Sequence, residues 1–194
     1  MSVPVPTGAR FLLLIALLLS AAQCGADQSM QPLGIDTSMH LTDHKGRAFD
    51  MQQMRGKVLW VYFGFTWCPE FCPMTQSKLS RAWQQMDYRK KNLESLFITV
   101  DPERDNQRRL QDFLSNYDMP ALGLYGSAAE IKTIADHFHV FYEKVPIGSD
   151  GNYTVNHSTS VFLVDTSGEV RTIFKYDTSA AKIAQVSAML LPAF

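Results

Sequence analysis

A nearly continuous apolar strand runs straight into a cysteine loop that opens a helix; a second strand and helix follow, and a hairpin with a final helix closes the chain. That order predicts an α/β fold of the thioredoxin-like class, a central sheet flanked by helices, carrying in addition an N-terminal β-hairpin and an insertion. With 194 residues, 46% hydrophobic and 19% charged, the chain suffices for one full core plus a targeting segment. Its formal net charge of −1 and lack of any long run of one sign leave no electrostatic footprint for nucleic acid, which is not an expected partner.

The first segment, 1–24, reads as a signal peptide or a membrane or lipid anchor. Arg10 precedes the apolar run Phe11 to Ala22, which is short for a membrane span and has the form of a secretory h-region. Ser20, Ala21 and Ala22 suit cleavage by signal peptidase, and Cys24 just beyond them is a candidate for lipidation, although Gln23 is a poor residue before a lipidated cysteine. The chain is therefore expected to be exported, periplasmic or membrane-anchored and facing the periplasm, where a close cysteine pair oxidises unless a reductant or a metal holds it. Residues 25–38 are polar and unpatterned and read as a linker, leaving 39–194 as the thioredoxin-like domain.

Within the domain, the turn-rich centre of "MHLTDHKGRAFDM" marks a β-hairpin. "KVLWVYFGF", Lys57 to Phe65, is the pattern of a strand buried on both faces. Pro73 stands where a first helical residue would, and Leu79, Ala82, Trp83 and Met86 give Met74 to Tyr88 a helical apolar stripe. "SLFITV" is a second buried strand, and Gln107 to Tyr117 a helix. "ALGLYG" is a short strand within the insertion, of a sort that peroxiredoxin-like proteins carry. Ser127 and Glu130 form a capping box at the head of the next helix. "VFYEKV", the turn "GSDGN", the hairpin of "TSVFLVD" and "EVRTIFKY", and a helix over Thr178 to Leu190 complete the chain.

Cys68 and Cys72, in "TWCPEFCP", are separated by three residues and each is followed by proline. A sulfur at a helix N-terminus meets free N–H groups and the positive end of the macrodipole, so Cys72 is expected to have a lowered pKa and to be the reactive thiol. One turn of spacing allows either a disulfide or a shared metal. A structural staple would add little here, because the loop it closes is short. Two thiolates select a soft ion, copper(I) above all, and a histidine can complete three-coordination; zinc would want a fourth ligand that the cysteine count does not supply. Of the histidines, His40 and His44 are expected at the surface, and His137 and His139 at a helix end, two apart and off any shared face. His157, between a hairpin and a buried strand, could stand near the cysteines, though spacing alone does not place it there.

Together, "FGFTWCPEFCP", then "VDPERD" with Asp101 29 residues beyond Cys72, then "VNHSTSVFLVD", resemble the Sco/SenC family, membrane-tethered copper proteins that help assemble the copper A centre of cytochrome c oxidase. The resemblance implies that Cys68, Cys72 and His157 bind copper(I) and copper(II). It implies that the cysteines also cycle as a redox pair, supplied by a thiol reductant, and that Asp101 lies near the site and orients its ligands. The implied partner is the oxidase subunit carrying copper A, or another cuproprotein. The other function class that the cysteines allow is an extracytoplasmic thiol-disulfide oxidoreductase or redox sensor without copper delivery; a peroxidase would need a different threonine-to-cysteine spacing.

Three positions depart from the family pattern: Trp67 stands where histidine is common, Glu70 where aspartate is common, and Asn156 where aspartate often precedes the ligand histidine. None removes a ligand, but Glu70 and Asn156 are placed to tune the metal from outside. A neutral residue beside His157 leaves the site less negative, which weakens copper(II) more than copper(I). Asn156→Asp should accordingly tighten copper(II) binding in a competition titration, and an unchanged copper(II) affinity would refute the assignment.

Overall fold

The computed structural model describes residues 30–192, so the expectations for the signal or anchor segment and for Cys24 fall outside the described residues. A compact unit spans Pro32–Phe194. Its first residues, expected as linker, are laid against the domain by the Leu33 N–H donating to the Val170 carbonyl and by the Thr37 hydroxyl donating to the Gly168 carbonyl. Among the described residues, no helix is long and apolar enough to cross a membrane.

Seven strands form one mixed sheet in the order β2-β1-β5-β4-β3-β8-β9, with β1 at His40–Asp43, β2 at Ala48–Asp50, β3 at Val58–Gly64, β4 at Leu93–Thr99, β5 at Ala121–Tyr125, β8 at Val161–Val164 and β9 at Val170–Phe174. The centre, β3, β4 and β5, is parallel, and the remaining pairings are antiparallel. Strand β5 pairs with both β4 and β1, so "ALGLYG" is a full member of the sheet and joins the N-terminal hairpin to the core. A separate antiparallel hairpin, β6 at Tyr142–Ile147 and β7 at Asn152–His157, projects beside the sheet.

Every residue of β3 is buried, as its apolar run requires. Alternation along the strand sends Trp60 and Tyr62 to one face and Phe63 to the other. Trp60 donates through Nε1 to Ser187 Oγ at 2.9 Å in α4, Ala180–Ala188, and Tyr62 reaches α1, Phe71–Gln84. Phe63 packs instead on Phe138, which ends α3, Ala128–His137, and on Phe162 of β8. Gly123 in β5 lets α2, Gln107–Leu114, lie close: a Cβ there would stand 2.9 Å from Leu110 Cβ.

The capping box of Ser127 and Glu130 forms as expected. Helix α1 starts at Phe71, earlier than expected, and places Pro73 third rather than first. Proline is tolerated there because first-turn N–H groups have no partner within the helix. The helix also ends at Gln84; Asp87 caps a separate 3-10 turn over Tyr88–Asn92 by accepting from the Arg89 N–H.

Candidate metal centre

Strand β3 ends at Gly64 because nothing larger fits. A Cβ there would stand 2.8 Å from Tyr62 Cε1, 3.0 Å from Cys72 Sγ and 3.0 Å from Phe97 Cε2. The loop that follows carries Cys68, and the first turn of α1 carries Cys72; both cysteines are free and buried. Glu70 occupies the N-cap position of α1 without a side-chain capping bond. Its place is taken by sulfur: the Cys72 N–H donates to Cys68 Sγ at 3.3 Å, so Cys68 satisfies one of the open amides of the helix.

This reverses the expectation for the two thiols. The helix amide points at the Cys68 sulfur, and Cys72 itself is fully buried. Burial, with the Cys68 sulfur alongside, pushes the Cys72 thiol far above the ordinary thiol range. The Cys72 side chain, then His157 and the Cys72 and Glu70 amides, hold Cys68 well below that range. Two sulfurs this close do not ionise together, and Cys68 takes the charge.

The third donor arrives from the end of β7. His157 Nδ1 lies 2.9 Å from the Ser158 carbonyl oxygen, which can only accept, so Nδ1 carries the proton and Nε2 is left with its lone pair. That Nε2 stands 3.5 Å from Cys72 Sγ. The ring is held edge-on by Tyr62, at 6.1 Å between centroids, and by Phe65, at 5.7 Å. Among the described residues, Cys68, Cys72 and His157 are the cluster that could hold a metal, their donor atoms all within 4.8 Å of one another. Donors bonded at about 2.0–2.3 Å around one ion stand somewhat closer together than that, a difference within reach of small side-chain rotations. Two sulfurs and an imidazole suit a soft ion, and no fourth His, Cys, Asp or Glu completes a zinc tetrahedron among the described residues. The group opens on a cleft of about 470 Å³, to which Glu70 and Asn156 both contribute.

Asp101 does not touch the thiols. It is fully buried and accepts from the Tyr153 hydroxyl at 2.7 Å and from Arg104 Nε at 2.5 Å. Arg104 Nη1 in turn donates to the Tyr153 carbonyl at 2.8 Å, and its guanidinium lies over the Tyr153 ring at 3.7 Å. Tyr153 belongs to β7, so Asp101 acts by latching the hairpin that presents His157. Asp105, four residues further, is buried too and accepts from the Thr66 amide at 3.0 Å, the Thr66 hydroxyl at 2.5 Å and the Thr99 hydroxyl at 2.6 Å. Burial pushes its carboxyl above the usual range, partly offset by these donors. Arg104, Asp105, Tyr153, Tyr62 and Ser158 all support the site without having been singled out from sequence; the second aspartate of "VDPERD" was the available signal.

The other histidines stand apart. His40 is exposed near Asp50, 3.6 Å away, and His137 faces Asp36 at 3.5 Å. His139 follows α3 with a φ of 54°. His44, expected at the surface, is buried: its Nδ1 accepts from the Gly123 N–H at 2.8 Å, and burial lowers its pKa. The pairing of β1 with β5 draws it in.

Fold and site together define a thioredoxin-like protein carrying a cluster of two cysteines and one histidine that could hold a metal ion. The SCO1/SenC family model matches residues 27–191, and the chain belongs to that family. The SCO2-like protein RP587 of Rickettsia prowazekii is 34% identical over 147 residues, 75% of this chain and 72% of the relative. The human mitochondrial SCO2 homolog is 32% identical over 157 residues, 80% of this chain and 59% of the relative. Among solved structures, copper-bound ScoI of Bradyrhizobium japonicum superposes with a TM-score of 0.75 at 31% identity, covering 81% of this chain and 100% of that one. Copper-bound yeast Sco1 gives 0.70 at 29% identity, covering 78% and 85%.

The assignment of charge has a direct check. Limited alkylation of the reduced protein with iodoacetamide at pH 6, followed by peptide mass spectrometry, should modify Cys68 well before Cys72; faster labelling of Cys72 would contradict it.

Proposed function

We infer that this chain is a copper-binding chaperone that takes copper on Cys68, Cys72 and His157 and delivers it to the copper A site of cytochrome c oxidase or a related cuproprotein. The observation that carries the reading is the preformed donor set, with three soft or borderline donors within 4.8 Å and His157 Nδ1–H donating to the Ser158 carbonyl, which leaves Nε2 free. Copper is the cargo. Its capture displaces the thiol proton, so binding is tied to pH and to the reduced state of the pair. The cleft beside Cys68 and His157 gives an acceptor protein access to the ion from one side. Export and a membrane tether through residues 1–24 would place the domain on the periplasmic side, a reading supported by the apolar run from Phe11 to Ala22.

A second reading rests on Cys68, the thiol held toward thiolate at the cleft. In an acceptor's disulfide, Cys68 would attack one sulfur and release the other as a thiol; Cys72 would then displace the remaining acceptor thiol, closing the Cys68–Cys72 disulfide. A thiol reductant must restore the pair afterwards. Both readings use the cysteines, whereas copper transfer also needs His157.

Copper(I) competition titration of the reduced protein separates them. Because losing even an outer partner of a ligand costs about 10–100-fold in metal affinity, His157→Ala should weaken copper(I) by at least that much while the cysteine pair still reduces disulfides, more slowly as Cys68 loses one of the groups that hold it toward thiolate. Equal copper(I) affinity in the variant would overturn the metal centre as drawn.

A further inference from the structure

Beneath the two ligand arms lies one phenol that touches both. Tyr62 is fully buried in the middle of the sheet, in the strand that leads into the cysteine loop. Its hydroxyl stands 3.5 Å from Cys72 Sγ, a normal donor distance for sulfur, and its ring meets the His157 ring edge-on. Phe97, from the neighbouring strand, packs on the other part of the same ring at 5.9 Å, and Gly64 leaves the room in which ring and sulfur meet. The two sulfurs are thus treated alike: Cys68 accepts from the helix amide of Cys72, and Cys72 accepts from Tyr62.

We propose that Tyr62 is a positioning residue of the metal centre, whose hydroxyl donates to Cys72 Sγ and so holds this deeply buried sulfur in place as a ligand and favours the reduced pair. The proposal rests on the reading of Cys68, Cys72 and His157 as the copper site. Burial, with the Cys72 sulfur alongside, pushes the Tyr62 phenol above its ordinary range, so it keeps its proton at neutral pH and remains a donor. In the reduced pair the Cys72 thiol donates to the charged Cys68 sulfur while accepting from Tyr62, so the Tyr62 bond ends a chain that terminates on an anion and is worth more than the same bond to a disulfide sulfur.

Tyr62→Phe removes one oxygen and leaves the ring, its contact with His157 and the fit at Gly64. Two measurements on the full chain test it, with thermal unfolding as the check on folding. In the first, without copper, the protein is equilibrated with oxidised and reduced glutathione. The dithiol passes two electrons and two hydrogens to glutathione disulfide, giving the protein disulfide and two glutathione thiols. The variant should lie toward the disulfide by about fivefold, the net worth of one buried hydrogen bond. In the second, copper(I) affinity at pH 7 should fall about 10–100-fold. A folded variant whose glutathione equilibrium matches wild type overturns the proposal, even where unfolding temperature or copper affinity changes, since a merely structural role moves those alone. A shifted glutathione equilibrium with undiminished copper(I) binding would uphold the hydrogen bond but remove its role in the metal centre; this outcome too overturns the proposal as stated, while the copper site itself is judged separately by His157→Ala.

Discussion

Asp101 and Asp105 are buried in the turn that follows β4, and they tie down the two segments that carry Cys68 and His157. Cys68 and Cys72 come from one chain segment and His157 from another, 85 residues beyond Cys72, in a hairpin outside the main sheet. Asp105 secures the first segment through Thr66, two residues before Cys68. Asp101, with Arg104, secures the second through Tyr153, four residues before His157. Buried carboxylates are costly unless fully hydrogen-bonded, and these two are bonded to the parts that must be held still. A turn of five residues thereby sets the distance between a sulfur pair and an imidazole.

The electrostatics of the pair follow from the same geometry. A helix N-terminus stabilises an anion that its open amides point toward, not one tucked behind its first turn. Cys68 receives such an amide, and Cys72 sits within the turn, against Tyr62 and the sheet. One sulfur is therefore available to a partner or a metal and the other is held in reserve, an order of events that suits capture of an ion as well as exchange with a disulfide. A copper ion held there would replace the proton of Cys72 as the positive partner of the two sulfurs, which would let a buried thiol act as a ligand.

Much of this was legible in the chain. The unbroken apolar run of β3 and the capping box at Ser127 and Glu130 are local signals, and each formed where the residues placed it. The cysteine spacing pointed to a redox pair or a shared soft metal, since two sulfurs one turn apart can either form a disulfide or clasp one ion. What was not legible depends on long-range pairing. His157 could be assigned only by family resemblance, because nothing near it in sequence says that its hairpin folds back to the thiols. His44 looked like a turn residue until the pairing of β1 with β5 buried it. Asp101 was expected near the site, and how it acts there, through Arg104 and Tyr153, depends on contacts that the sequence does not show. Cys72 was expected to carry the charge that Cys68 carries, because its place at the helix start does not show which sulfur the open amide faces.

The central claim is that one ion is shared by two sulfurs and an imidazole drawn from separate arms of the fold. Copper K-edge X-ray absorption of the copper(I)-loaded, reduced protein tests it most directly. The structure predicts a three-coordinate ion with two sulfur scatterers and one imidazole nitrogen. A two-coordinate, sulfur-only ion would contradict it.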